Sequence, residues 1–586
     1  MQGRNVSRWV TEITGLRLLA WVLLGAWFLW EPLSSPTFTG HAHDWAYFMH
    51  HAHSAYLSLA EHHQIPSWDP YFCGGIPALG SLQNNVVAPS FLFPLVFGLM
   101  AGLRLGFLAF FIAGMEGTYR LARHLGVRGA GALASALVFC FSGRFVQLFH
   151  DGHTPFLAFL LTPWALLCLE KGLRSWRWTV AGAAVMTLIF LEGGAVPLPI
   201  ISVLMLVWAV CRALALLITR EADLPSHRPL VVLAAMAAIS LGLSAFRFIP
   251  VMDTILHNPR IWQGEDVYTI GHVVNMLLRE GEAGYTGDGS AYTGHLSFVL
   301  FLLALLMRDR RAIVPLVAAA ILLEMATGSD EIIGLFPALR SLPVLENIRN
   351  PFRITVLVSL MVALGAGCGI DALESIVLDV GRKVAQRAAR AALVTTALVV
   401  SAFLVTVTVK QITDYTHPRL ENLFNRPAAL TMTQPFRQSL GNRWYAHVWP
   451  AANLGSLSCF EEQAFFVSPR LRGDLPREEY LSDPSAGTVT RKRWSPHRIS
   501  LDVVLDRPAT VLVNQNSHRG WHASTGSITS FHGLLAVDLP AGDHDLTLRF
   551  RDPLVVLGAV ISALTILGLV LLELRPLLRK YVSSRK

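Results

Sequence analysis

Long apolar blocks dominate the chain. Stretches such as Leu18–Leu29, Leu296–Met307, Ala391–Val409 and Leu554–Leu572 hold no charged residue, and several approach the ~20 residues an α-helix needs to cross ~30 Å of hydrocarbon. The pattern predicts twelve spans, near 15–31, 98–118, 130–149, 155–170, 178–192, 197–217, 229–249, 292–307, 311–327, 353–371, 391–409 and 553–574. Two regions break it. Segment 33–89 is rich in His, aromatic residues, Pro and Gly, and 411–552 has lost the membrane composition. Within the latter, 498–506 and 545–551 largely alternate apolar and polar positions with period two, the mark of half-buried strands. Pro540-Ala541-Gly542-Asp543 supplies the turn before the last strand. The expected fold is a mostly α, polytopic membrane protein of about twelve transmembrane helices, with a C-terminal extracytoplasmic β-sandwich-like domain before its last helix. Its expected units are a multi-spanning domain over 1–410 with extracytoplasmic loops 33–89, 251–290 and 328–352, an outer α/β then β-sandwich-like domain over 411–552, and a last helix with a basic cytoplasmic tail over 553–586.

Composition strengthens this picture. Of 586 residues, 53% are hydrophobic and only 15% charged, against about 25% charged in a typical soluble chain, and the mean hydropathy is +0.46. A soluble enzyme, a fibrous protein and a disordered chain are excluded. A net charge of +8 would suggest nucleic acid in a soluble protein. Here Lys and Arg gather in the short loops that the positive-inside rule assigns to the cytoplasm, so no nucleic-acid partner is expected. Arg120, Arg123, Arg128, Lys171, Arg174, Arg177, Arg308, Arg310 and Arg311 all fall on one side if the spans alternate, whereas 33–89 contains neither Lys nor Arg. Both termini are then cytoplasmic, and the apolar run behind Arg4 and Arg8 is an uncleaved first span. Six cysteines form no CxxC pair and no metal spacing. Only Cys73 and Cys459 fall outside, and a bridge between them is not expected.

Candidate chemistry concentrates at the outer face. Asp44 is the only acid in 33–60 and sits beside Trp45 and Tyr47, where partial desolvation would raise its pKa toward that of a working general base. A solvated loop acid or helix N-cap is the plainer alternative. Seven histidines (41, 43, 50, 51, 53, 62 and 63) crowd the same loop. His43, His50 and His53 are candidate ligands for a divalent metal, although a metal-free, pH-sensitive polar loop is the favoured reading of these histidines. Trp68, Asp69 and Tyr71, with Gln83 and Asn84, set aromatic rings beside polar groups, as a sugar site does; a structural lid over the bundle fits the same residues. Arg349 and Arg353 stand four apart across Pro351 at the outer mouth of a span, spaced to grip one phosphate or to snorkel to headgroups. Arg144, Glu192 and Arg247 lie deeper, with Asp151 and His153 just beyond the third span; such residues are costly in hydrocarbon and mark either a pathway or internal pairing. Asp151, His153, Arg247 and Tyr292 complete the candidate substrate contacts.

Asp44 is followed by the run Ile65 to Ser81 and the block Pro89 to Pro94, then by Phe141-Ser142-Gly143, Pro163 with Glu170, the run Ala245 to Pro250, and Tyr292-Thr293-Gly294-His295. Arg349 to Arg353 leads into Gly365 to Gly369, and Asn514 to Trp521 and Leu539 to His544 close the series. In this order the motifs resemble YfhO-type bacterial membrane proteins, related to the GT-C superfamily of polyprenyl-phosphate-sugar-dependent glycosyltransferases. Glu192-Gly193-Gly194 departs from a Gly-His-Pro-Gln-like stretch often found in such proteins. The resemblance implies a GT-C-like fold and a sugar donor carried on a polyprenyl phosphate. The leaving phosphate is already a stable anion, so the reaction needs a carboxylate for the acceptor's proton, matched by Asp44, and cations for the phosphate, matched by Arg349 and Arg353. The implied acceptor is a cell-envelope glycan, lipid or protein on the extracytoplasmic face of a bacterial inner membrane. The rivals are a lipid or glycolipid transporter working through Arg144, Glu192 and Arg247, and a non-catalytic envelope-assembly protein.

Overall fold

The computed structural model describes residues 3–34, 43–194, 196–219, 224–258, 267–279, 291–330, 332–341, 348, 350–383, 391–392, 395–396, 399–408, 410, 435–441, 448–459 and 465–583. Six helices among these are long and apolar enough to cross a membrane: Leu99–His124, Gly129–Phe149, Thr154–Gly172, Pro197–Ile218, Pro351–Val377 and Pro553–Arg575. Arg228–Leu243 and Ala245–His257 count as a seventh if taken together, although they are bent by 89°. Shorter apolar helices occur at Trp176–Leu191 and His295–Leu306, and further apolar helical stretches at Thr14–Phe28, within the helix Gly3–Phe28, and at Val399–Thr408. Of the twelve expected spans, six or seven are helices of full length among the described residues. His295–Leu306 falls short of a span: at ~1.5 Å per residue, its 12 residues rise only ~18 Å, less than the hydrocarbon thickness. The expected span 229–249 also runs across the bend at Ser244 rather than along one helix.

The helix beginning at Thr355 is the axis of the bundle. Its small residues let neighbouring backbones approach: a Cβ on Gly367 would lie 2.1 Å from Ser135 Oγ, and one on Gly369 would lie 2.0 Å from the Leu300 carbonyl oxygen. Apolar packing of this kind, through small residues, is how helices associate without help from the hydrophobic effect. The rim is different. Only 11% of the Pro553–Arg575 window is buried, so its apolar side chains face outward where lipid would be their solvent. Buried Glu116 and Asp371 are paired with guanidinium groups, which offset the hydration their charges lose. Arg17 grips Glu116 with two hydrogen bonds while Trp21 adds a third, and Asp371 meets Arg128 and Arg311.

The C-terminal part is β-rich. Short strand pairs come first: β1 (Trp68–Asp69) with β2 (Ile76–Pro77), and β3 (Arg437–Ser439) with β4 (Leu454–Ser456). Eight further strands follow: β5 (Glu479–Leu481), β6 (Gly487–Ser495), β7 (Arg498–Leu505), β8 (Ala509–Asn516), β9 (Trp521–Ala523), β10 (Ser527–Phe531), β11 (Leu534–Leu539) and β12 (Gly542–Phe550). They form two four-stranded antiparallel sheets, ordered β10-β11-β8-β5 and β6-β7-β12-β9. The alternating stretches in the sequence are β7 and β12, which pair with Leu546 opposite Leu501 and Leu548 opposite Ile499. Inward Ile499, Leu501, Val503, Val511, Val513, Leu546 and Leu548 are all buried in one cluster.

This domain is stapled to the loop that holds Trp68 and Gly75. Trp68 sits in the sandwich core against His518, Trp521 and Phe550, and its indole N–H donates to Gln515 Oε1 at 2.7 Å. The Ser67 and Trp68 amides both donate to His497 Nε2, and Asn516 Nδ2 donates to the carbonyls of Cys73 and Gly75. Cys73 and Cys459 form a disulfide, against expectation. A bridge between Phe72 and Ser456 lays the two segments side by side, bringing the cysteine Cα atoms within 4.5 Å across 386 residues of sequence. Gly75 turns the loop at φ +103, and a Cβ there would strike the Trp68 ring at 2.5 Å.

Candidate functional site

Helix His43–Tyr56 opens with Asp44 and docks by its first turn onto the end of helix Gly143–Asp151. Trp45 Nε1 donates to the Phe149 carbonyl at 2.8 Å, and Gly152 reverses the chain with φ +83, so close that a Cβ would lie 2.4 Å from the Trp45 amide nitrogen. That turn delivers His153, whose Nε2 meets Asp44 Oδ2. The Asp44 side chain is 43% exposed and that of His153 is 10% exposed, so the pair lies at the edge of the bundle rather than within it.

From His153 a chain of contacts leads inward. Its ring stands 5.1 Å from Phe156, and the Arg353 guanidinium also packs on that phenylalanine, 4.8 Å from the ring centre. A second guanidinium, Arg144, lies 5.6 Å from the ring of Phe352. Both arginines are buried, held near aromatic faces that attract cations without neutralising them. Asn350 Oδ1 accepts from the Phe352 amide and shapes the short turn that carries Arg353. Phe48, Met49, Phe107 and Leu157, with Ser90, Thr154 and Glu192, line a small cavity of about 30 Å³.

Several expected site residues are used elsewhere. Trp68, Asp69, Tyr71 and Asn84 are buried and bonded within the protein, so they offer no open sugar face. Tyr71 packs on Phe436 and Trp494, and Asn84 Oδ1 accepts from the Val86 amide. Gln83 is half-buried. Arg247 donates to the backbone carbonyls of Phe190, Leu191 and Asn84, fastening the 81–84 loop to a helix end. Glu192 accepts from the amide and hydroxyl of Ser90. Tyr292 is buried and its carbonyl accepts from the Gly143 amide, joining the start of the helix that leads to His153 to the bundle. Arg349 and the side chains of His43 and Asp151 lie outside the described residues. Of the expected metal ligands, His50 lies with His51 and Asp69. Helical spacing groups His50 with His43 and His53 in the sequence, and only the return of the loop brings Asp69 over His50. Phe156 was not legible beforehand, because an apolar residue in an apolar run carries no signal of a cation 197 positions away.

No known protein-family profile and no curated protein matches the chain. Among solved structures it is similar to the arabinofuranosyltransferase AftD from Mycobacteria, at 16% identity and TM-score 0.38, covering 70% of this chain and 27% of that one. It is also similar to the oligosaccharyltransferase AglB from Archaeoglobus fulgidus in complex with an inhibitory peptide and a dolichol-phosphate, at 12% identity and TM-score 0.44, covering 77% and 65%. A third is ArnT from Cupriavidus metallidurans bound to undecaprenyl phosphate, at 12% identity and TM-score 0.37, covering 75% and 77%. The chain thus spans about a quarter of the length of the mycobacterial enzyme. Likeness at this level assigns no activity to this chain.

Proposed function

We propose that the protein is a membrane glycosyltransferase that moves a sugar from a polyprenyl-phosphate donor to a cell-envelope acceptor at the extracytoplasmic face of a bacterial inner membrane. The observation that carries this reading is the Asp44–His153 pair, whose carboxylate is 43% exposed, flanked by Arg353 through Phe156. Each part answers one need of the reaction. The carboxylate and imidazole accept the acceptor's hydroxyl proton as it attacks the sugar carbon. Arg353, with Arg349 from the adjoining segment, holds the phosphate on which charge develops as the sugar–oxygen bond breaks. The motif order in the sequence supports the same class, and the Cys73–Cys459 bridge suits an oxidising compartment outside the cytoplasm.

Transport through the intramembrane charges finds less support: Arg247 is spent on backbone carbonyls and Glu192 on Ser90, which fixes both rather than leaving them to handle cargo. The test uses protein in nanodiscs with a panel of polyprenyl-phosphate sugars, following release of free polyprenyl phosphate. Release by the wild type and none above background by Asp44→Asn is the expected result. Absence of release from every donor, or equal release by the variant, would overturn the proposal.

A further inference from the structure

One cluster of ligating side chains remains outside this chemistry. His50 Nε2 lies 3.3 Å from Asp69 Oδ2, and His51 Nδ1 lies 3.6 Å from the same oxygen. All three side chains are buried, and their ligating atoms lie within 4.8 Å of one another. Adjacent residues on a helix diverge by about 100°, yet both rings reach one point because one offers Nε2 and the other Nδ1. The separations are longer than the ~2.7–2.9 Å of a charge-assisted hydrogen bond. They match the ~3.3 Å expected between two ligands that share one tetrahedral ion at ~2.0–2.1 Å. Neither His51 nitrogen nor Asp69 Oδ2 makes a hydrogen bond among the described residues, although such buried groups are ordinarily satisfied.

The surroundings orient these ligands. The other carboxylate oxygen, Asp69 Oδ1, accepts from Ser54 Oγ at 2.7 Å and from the Tyr71 amide at 3.0 Å, leaving Oδ2 aimed at the imidazoles; such outer bonds commonly fix a metal ligand. Phe72 and Tyr47 rings pack on the histidines at 5.4 and 4.6 Å from His51, closing the site to bulk water.

We propose that His50, His51 and Asp69 bind one divalent transition-metal ion of the zinc class, which pins helix His43–Tyr56 to the loop that enters the β-rich domain. Two imidazoles and one carboxylate are a ligand set that zinc takes readily, with a fourth position for water. The ion would make the Asp44-bearing helix and the Trp68–Gly75 loop one rigid piece. It stands apart from the Asp44–His153 pair and does not depend on what that pair does.

The test is metal content of the full-length protein purified without a polyhistidine tag or chelator. About one equivalent of zinc per chain is expected, with Co²⁺ replacement giving the visible bands of a tetrahedral site. His51→Ala and Asp69→Asn should lose the ion, while His51→Cys, which keeps a zinc ligand in place, should retain it. An intact Cys73–Cys459 bridge in each variant shows that the fold survives. Chelation should lower the thermal midpoint of the wild type and leave that of His51→Ala unchanged. Wild-type protein that holds no stoichiometric metal after equilibration with Zn²⁺ and desalting, with the same midpoint with or without chelator, would overturn the proposal. The cluster would then be a buried imidazolium–carboxylate pair.

Discussion

At the scale of single residues, the consequences of burial are opposite for two groups in the β-rich domain. Burial pushes Glu478 up to about 8, reinforced by neighbouring Glu479 and opposed by Arg491. A folded-state pKa above the unfolded value of ~4.3 means that the folded protein binds more protons between those values. Stability therefore falls as pH rises toward 8. His497 is pushed down to about 4 by burial; the unfolded chain, with a His pKa of ~6.5, takes up the proton first. Its contribution is full above ~6.5 and is lost as pH falls toward 4. Of the two, Glu478 alone titrates in the upper window, so Glu478→Gln should flatten the decline in thermal midpoint between about pH 6.5 and 8. A wild-type midpoint that rises over that window would count against this account. At the reacting pair, Asp44→Asn is expected to lower kcat by roughly 10²–10⁴-fold. Arg353→Gln should act on donor binding instead, raising KM for the polyprenyl-phosphate sugar by roughly 10–100-fold, the scale of a lost charged hydrogen bond. Steady-state kinetics on the two variants separates the roles.

At the scale of elements, the site depends on how a helix start meets a helix end. Gly152 holds φ +83 and abuts the Trp45 backbone, and Trp45 in turn anchors to Phe149. Gly152→Ala adds both a strained conformation and a clash, the two costs that glycine avoids. It should displace the first turn of helix His43–Tyr56, part Asp44 from His153 and lower activity as much as Asp44→Asn does. Expression and membrane insertion should stay normal, which pulse labelling and activity together would check. The bent pair at Ser244 is a second joint. Gly558 of the last helix lies against Ala245, where a Cβ would meet its carbonyl oxygen at 2.3 Å, so the bend and the rim helix are shaped to each other. Periodicity could announce neither joint, because a hydrophobic pattern continues across a break that side-chain packing, not propensity, creates.

At the scale of the whole molecule, the loop around Trp68–Gly75 is shared between bundle and β-rich domain. Trp68 is a core residue of the sandwich although it lies over 400 positions before β7, and the Cys73–Cys459 bridge closes the junction. Cys73→Ser is expected to destabilise that junction by about 2–4 kcal/mol and to allow proteolysis within 465–480 under conditions where the wild type resists. Peptide mapping without reductant should recover the Cys73 and Cys459 peptides joined.

The sequence alone determined the chemical setting. Continuous apolar blocks demand lipid or a buried core, period-two alternation demands a sheet with one wet face, and Asp44 and His153 were conspicuous because polar groups are expensive at a membrane. Those properties are local, so a single strand of letters displays them. The partnerships were settled by tertiary structure: Asp44 with His153, Arg353 with Phe156, His50 and His51 with Asp69, and Cys73 with Cys459. Tertiary structure also turned Trp68 and Tyr71 from an apparent sugar face into buried anchors. Each of these depends on where a distant segment returns, and that is decided by packing and close backbone approach over the whole chain, which no window of neighbouring residues encodes.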